Sequence, residues 1–427
     1  MRIRTSPAPS RSHALKLRAL RALALGPFGL LAACGGDLGS GGPQPVPGTN
    51  VVAIIVDGGP AAAVNGINSP YVSVTVCQPG STTNCQVIDH VLLDTASTGL
   101  RLLASVADTS LALPQEMDAG NQPLFECLQF GDHSYTWGSV RLADVQIADG
   151  KAMNLPVQLI GETTAPTAPN ECSLALTSNP LPAADTVAAL NANGILGIGV
   201  FREDCGSGCT QPPGAGQISQ YYTCAASCTG DTVDTSLQLQ NPVYRFASNN
   251  NGVIVELPAV GSAGSFGARG SLVLGINTQS NNSLGNATIL PVDALGFLST
   301  VYNGQTLAHS YIDSASKGLY FDDAFQACDA TSVAGGLYCP GAATPLQLSA
   351  TLQGSDGSSS KQVDFSIADG LALLQAQPTY NAFGNIGGPL GDATAFDWGL
   401  PFFYGRSVYV AIEGQSTTGA TGPYFAF

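Results

Sequence analysis

Basic residues are scarce in this chain. Lys and Arg total 15 against 30 Asp and Glu in 427 residues, and charged residues of both signs make up only 11%. Six of the basic residues (Arg2, Arg4, Arg11, Lys16, Arg18, Arg21) fall within residues 1–33, which hold no acid. The rest of the chain keeps nine basic residues against thirty acidic, a net charge of −21. Such a surface excludes nucleic acid and anionic lipid as electrostatic partners. Histidine is rare too. Only His90, His133 and His309 lie beyond residue 33, and no GxSxG occurs, so a Ser-His-Asp hydrolase lacks its parts. The carboxylates of DGGP, FREDC and FDDAF lack the spacing of a calcium loop. Helical periodicity is nearly absent; only Leu181 to Asn193 reads as a short helix. After residue 33 no apolar run is long enough for a membrane-spanning helix.

The basic start, followed by the apolar stretch Ala22 to Ala33, has the form of an export signal too short to span a bilayer. It ends Leu31-Ala32-Ala33-Cys34-Gly35-Gly36, small residues before a cysteine, which resembles a bacterial lipobox. That resemblance implies a lipidated Cys34 as the mature N-terminus, and Gly35 after it favours the outer membrane, facing the periplasm. A plain secretory signal cleaved nearby is the simpler alternative. Residues 34–50 are rich in Gly and Pro and form a flexible tether.

Ten cysteines remain after Cys34, an even number in an exported chain, which makes disulfides the expectation. Cys77 and Cys85 flank QPGSTTN as a hairpin staple, and Cys328 with Cys339 closes a short Gly-containing loop. Cys127 and Cys172 pair by elimination. Cys205, Cys209, Cys224 and Cys228 form CxxxC…CxxxC, whose pairing the spacing leaves open. A zinc site there is the alternative, but zinc clusters favour CxxC and reduced thiolates. No metal or cofactor is expected.

From Val51 onward the chain is a series of short apolar or alternating runs, such as YVSVTV, GVIVELP, GSLVLGI and SVYVAIEG. These are rich in β-branched residues and bounded by turn formers, so the class is all-β. One stretch occurs twice. QVIDHVLLDTASTGLRLL (86–103) aligns without a gap on QTLAHSYIDSASKGLYFD (305–322). His90/His309, Asp94/Asp313, Ala96/Ala315, Ser97/Ser316 and Gly99/Gly318 match. The duplication predicts a 51–204 N-terminal lobe, a Cys-rich 205–241 crossover and a 242–427 C-terminal lobe, related by pseudo-two-fold symmetry around a cleft.

A carboxylate at a small-residue turn after an apolar strand is partly buried, and burial raises its pKa. Two of them in contact share one proton and can activate a water between them. Thr95, Ser97, Ser314 and Ser316 supply hydroxyls to hold the loops. Single copies of Asp-Thr or Asp-Ser also serve as ordinary turn formers. His90 and His309 lie four residues before each Asp, on the same face of a regular strand, and are expected to be buried and satisfied; a metal site between lobes is the alternative.

The duplicated Asp-(Thr/Ser)-Ala-Ser resembles the catalytic loops of the two-lobed pepsin-like aspartic peptidases. NGILGIG (193–199), GSLVLGIN (270–277), ATILPV, WGLPFF (398–403) and the terminal GPYFAF match family elements in the same order. The resemblance covers residues 51 to 427. It implies a catalytic dyad of Asp94 and Asp313 and a flap hairpin around Phe130, Gly131, Tyr135 and Trp137. It also implies a peptide or unfolded-protein substrate, and a monomer is expected. The chain departs from the pattern at Ala96 and Ala315, where the family has Gly; the extra methyl either crowds the dyad or widens its loop. Asp397-Trp398-Gly399 breaks the second apolar-apolar-Gly element. Phe402, Phe403 and Tyr404 are expected in the core. The leading expectation is an envelope-anchored aspartic endopeptidase. A non-catalytic peptide- or ligand-binding lipoprotein on the same fold is the alternative; the chain is also similar to proteobacterial lipoproteins to which no activity attaches.

Overall fold

In the computed structural model, residue 43 and residues 47–427 are described, apart from 65, 175–178, 215–217 and 226. The leader, Cys34 and most of the tether lie outside the described residues. The described residues form one compact unit.

Alternating apolar residues build a fifteen-stranded and a seven-stranded sheet among the described residues. Val51–Val56, apolar at every position, pairs antiparallel with Ala268–Leu274, Val51 facing Val273 and Val56 facing Ala268. The larger sheet therefore carries strands from both halves, and Gly252–Leu257, Arg406–Ala411 and Tyr424–Ala426 extend it. The smaller sheet belongs wholly to the second half, from Leu298–Tyr302 to Asp397–Trp398. Residues 205–241 add Tyr221–Cys224 and Cys228–Gly230 to the free edge of Leu124–Gln129. The described residues are thus all-β, as expected, with one sheet shared by the two halves and one that belongs to the second half.

Helix is as sparse as the sequence predicts. The stretch 181–193 contains only the one-turn helix Val187–Leu190, capped by Thr186. All ten cysteines are paired, Cys205 with Cys209 and Cys224 with Cys228 among them. Those four thiols are therefore not free to ligate zinc. Phe402, Phe403 and Tyr404 are buried as expected.

Both repeated strands carry a bulge at the same place. Val72 and Val74 face Val91 and Ile88, leaving Asp89 and His90 opposite a single residue. Leu298 and Thr300 face Ser310 and Leu307, leaving Ala308 and His309. The extra residue breaks the two-residue alternation, so neither histidine shares the face of its Asp. His90 takes φ 46° and lies between Asp57 and Asp89, at 3.4 Å from each. His309 is exposed, against Thr394 and Phe297. The expectation of two buried histidines is corrected by the bulges.

Candidate active site

Each repeated strand enters its loop beside a strand that runs behind it. Cys85–Asp94 pairs parallel with Gly194–Ile198, Leu93 facing Leu196 and Asp94 facing Gly197. Gln305–Ile312 pairs parallel with Asp397–Trp398, Ile312 facing Trp398. The outgoing strands Thr98–Leu103 and Leu319–Tyr320 then pair antiparallel with the same two inserts. Glycine is required directly behind each loop. A Cβ on Gly197 would meet Thr98 N at 2.6 Å, and one on Gly399 would meet Ser316 O at 2.6 Å.

The two loops grip each other through their hydroxyls. Thr95 Oγ1 donates to Ile312 O at 2.9 Å and accepts from Ser314 N at 2.9 Å. Ser314 Oγ donates to Leu93 O at 2.6 Å. These bonds, between fully buried groups, fix the separation of the loops.

Asp94 Oδ1 accepts from Ala96 N (2.8 Å) and Ser97 N (3.1 Å), and Oδ2 accepts from Ser97 Oγ (2.5 Å). Asp313 Oδ1 accepts from Ala315 N (2.8 Å), and Oδ2 from Ser316 Oγ (2.8 Å). The two carboxyls lie within hydrogen-bonding reach of each other. Burial first, then the charge of Asp94, pushes the Asp313 carboxyl up to about 7. Neither Ala96 nor Ala315 takes a positive φ, and Ala96 is exposed while Ala315 is half-buried. Their methyls therefore do not separate the carboxyls, and the ordinary backbone angles explain why Ala is tolerated in both copies.

The hairpin Leu124–Gln129/Tyr135–Ile147 turns through Phe130–Ser134. Trp137 does not face a cleft. Its Nε1 donates to Pro166 O at 2.7 Å, and its ring packs on Phe125 and Tyr222. Tyr135 is half-buried, Phe130 is half-buried, and Gly131 is exposed at the turn. Asp132, which the sequence did not single out, brings the hairpin tip within electrostatic reach of Lys317 and Tyr320 beside the second loop. Burial lowers Lys317, partly offset by Asp132, and raises the Tyr320 hydroxyl.

Two further ionisable groups stand one layer behind the loops. In the first half, Arg101 (1% exposed) donates to Glu126 Oε1 at 2.5 Å and Asp204 Oδ2 at 3.0 Å. Tyr221 and Gln220 complete the shell of Asp204. In the second, Asp397 (3% exposed) occupies the slot of the broken apolar pair. Burial, with the charge of Asp313 second, raises its carboxyl well above the ordinary range. The signal for Asp397 was a charge in an apolar slot; Arg101 gave only a repeat position matched to Tyr320.

Among the described residues no three His, Cys, Asp or Glu side chains are placed to hold a metal ion. Two cavities, of about 550 and 290 Å³, are lined by neither Asp94 nor Asp313.

The chain belongs to the family described as protein of unknown function (DUF3443), whose model matches residues 47–427. No curated protein matches it. Among solved structures it is similar to the aspartic proteinase from Irpex lacteus, with 12% identity and a TM-score of 0.47, covering 88% of this chain and 96% of that one.

Proposed function

We propose that the protein is an aspartic endopeptidase of the bacterial envelope in which Asp94 and Asp313 share the attacking water. The single observation that carries this is the pair of carboxyls in mutual hydrogen-bonding reach, each held by its own loop serine. Asp313, pushed up to about 7, holds the shared proton and gives it to the scissile carbonyl oxygen. Asp94 takes the proton from water. The Phe130–Ser134 turn covers the substrate, an extended peptide or unfolded protein. Lipidation at Cys34 holds a monomeric body on the periplasmic face of the outer membrane. The two-lobed body, the reciprocal grip of Thr95 and Ser314 and the paired cysteines support this reading.

The test is cleavage of an unfolded protein by the purified mature chain across acidic pH. Asp94→Asn and Asp313→Asn should each abolish it. Cleavage that survives both changes removes the dyad from the mechanism. Absence of cleavage by the unaltered protein at every pH leaves the peptide-binding lipoprotein as the reading.

A further inference from the structure

The smaller of the two cavities, about 290 Å³, is lined entirely by residues of the second half. Its walls are mostly rings and aliphatic side chains. Val363 and Phe365 come from the strand Ser360–Ile367, and Trp398, Phe402 and Tyr404 from the chain that leads into Arg406–Ala411. The polar ends of two of those rings are spent elsewhere. Trp398 Nε1 donates to Thr300 Oγ1 at 3.0 Å, and the Tyr404 hydroxyl donates to Asn68 Oδ1 at 2.9 Å. These rings therefore offer a ligand apolar surface and no hydrogen bond. A cavity of this size suits a molecule built on one ring rather than a peptide.

Arg406 is the one cation on that lining. It is half-buried, and its guanidinium lies over the Phe402 ring, 4.8 Å from the centroid. Nη1 donates to Phe402 O at 2.5 Å and the backbone N to Phe403 O at 3.1 Å, so the group is held in place. A guanidinium has five N–H donors. Among the described residues Phe402 O is the sole acceptor of the Arg406 side chain, and no carboxylate forms an ion pair with it. The acid on the lining, Asp364, is exposed at the rim and accepts from Gln362 Nε2 at 3.0 Å. A second cation stands close by. Lys361 shares the strand face of Val363 and Phe365, donates to Phe427 O at 2.6 Å, and lies over the Phe427 ring, which packs edge-on against Phe402. Burial lowers the Arg406 guanidinium, and no acid offsets it. A partly desolvated cation with unfilled donors is costly unless an anion meets it.

We propose that this cavity binds a small organic monocarboxylate with an aromatic body, its carboxylate on the Arg406 fork and its ring against Phe365, Trp398 and Tyr404. The planar guanidinium presents parallel N–H groups that match a carboxylate with two hydrogen bonds, which an ammonium does not. One guanidinium on the lining balances one negative charge. A second charge on the ligand would meet Asp364 at the rim, so dicarboxylates and phosphate dianions are disfavoured. The ring leaves water for apolar walls, a gain that an inorganic anion does not have. The site is separate from the dyad, since neither Asp94 nor Asp313 lines it. It therefore stands or falls independently of the endopeptidase reading.

Calorimetric titration of the full mature chain at neutral pH tests this with three probes of matched ionic strength: benzoate, its neutral isostere benzamide, and inorganic phosphate. Benzoate should saturate one site with a dissociation constant of about 1 mM or tighter. Benzamide and phosphate should each bind at least about tenfold more weakly. Arg406→Met keeps an apolar stem over Phe402 and should weaken benzoate by about tenfold or more. Should that variant not fold, Gly384→Leu fills the cavity and leaves Arg406 in place. A Cβ on Gly384 has room, with Val260 O at 3.6 Å and Tyr404 Cδ2 at 3.8 Å, both on the lining, and the variant should lose benzoate binding. Asp313→Asn should bind benzoate as the unaltered chain does. No saturation by benzoate up to about 20 mM, or equal binding after Arg406→Met or Gly384→Leu, overturns the site. Benzamide bound as tightly as benzoate overturns the role of Arg406, and phosphate bound as tightly overturns the role of the aromatic walls.

Discussion

The two copies of the repeated loop share their strand pairing and their hydroxyl grip but differ in their surroundings. Asp94 is buried, accepts three hydrogen bonds from its own loop, and has the apolar Ile195 behind it. Asp313 keeps some exposure, accepts two, and has Asp397 behind it. The first half also buries Arg101 between Glu126 and Asp204, while Asp397 in the second half lies between two tyrosines with no cation acting on it. The duplicated hydroxyls, Thr95/Ser314 and Ser97/Ser316, hold the two loops in matching ways, while the ionisable groups around them differ.

Asp94→Asn and Asp313→Asn break the comparison most severely. Each should lower peptide cleavage roughly a thousandfold or more, with the double variant no worse than either alone, because the pair acts as a unit. A rate assay on a quenched peptide checks this, and additive losses would separate the two roles. Next in size is Arg101→Met, which strands two buried carboxylates. It should destabilise the fold by about 3–5 kcal/mol in denaturant melts, whereas Asp397→Leu, which removes an unpaired acid, should cost far less.

The pH dependence of stability follows in size. Asp313 is raised from 3.8 to about 7, and Asp397 and Asp204 are raised in the same direction. The folded chain therefore holds protons that the unfolded chain releases. This stability is fully present below about pH 4 and is lost as pH rises through about 7, so the melting temperature should fall across that window. Asp313→Asn should flatten the fall, and a melt series in matched buffers reads it. The smallest effect is expected at the methyls. Ala96→Gly and Ala315→Gly should each cost about 0.4–1 kcal/mol through the unfolded chain, with cleavage nearly unchanged.

Most of the fold was legible because alternating apolar runs and a gapless repeat specify strands and their duplication. Asp94, Asp313 and the four loop hydroxyls were legible for the same reason, since a duplicated motif reports on both halves at once. The histidines misled because a bulge inserts a residue that no pattern of apolar positions marks. Trp137 looked like a flap residue by position, but its ring is claimed by Phe125 and Tyr222, and its Nε1 by Pro166. Asp397 was visible only as a break in an apolar pair. Its surroundings depend on Tyr311 and Tyr320, which lie far upstream in the chain and reach it through strand pairing.

The central claim, a proton-sharing pair at the lobe junction, is tested most directly by calorimetric binding of a transition-state-mimicking peptide inhibitor carrying a hydroxyl in place of the scissile carbonyl. Tight binding at acidic pH that is lost in both Asp94→Asn and Asp313→Asn is the predicted result. Equal binding by the unaltered protein and both variants, or no binding at any pH, would contradict it.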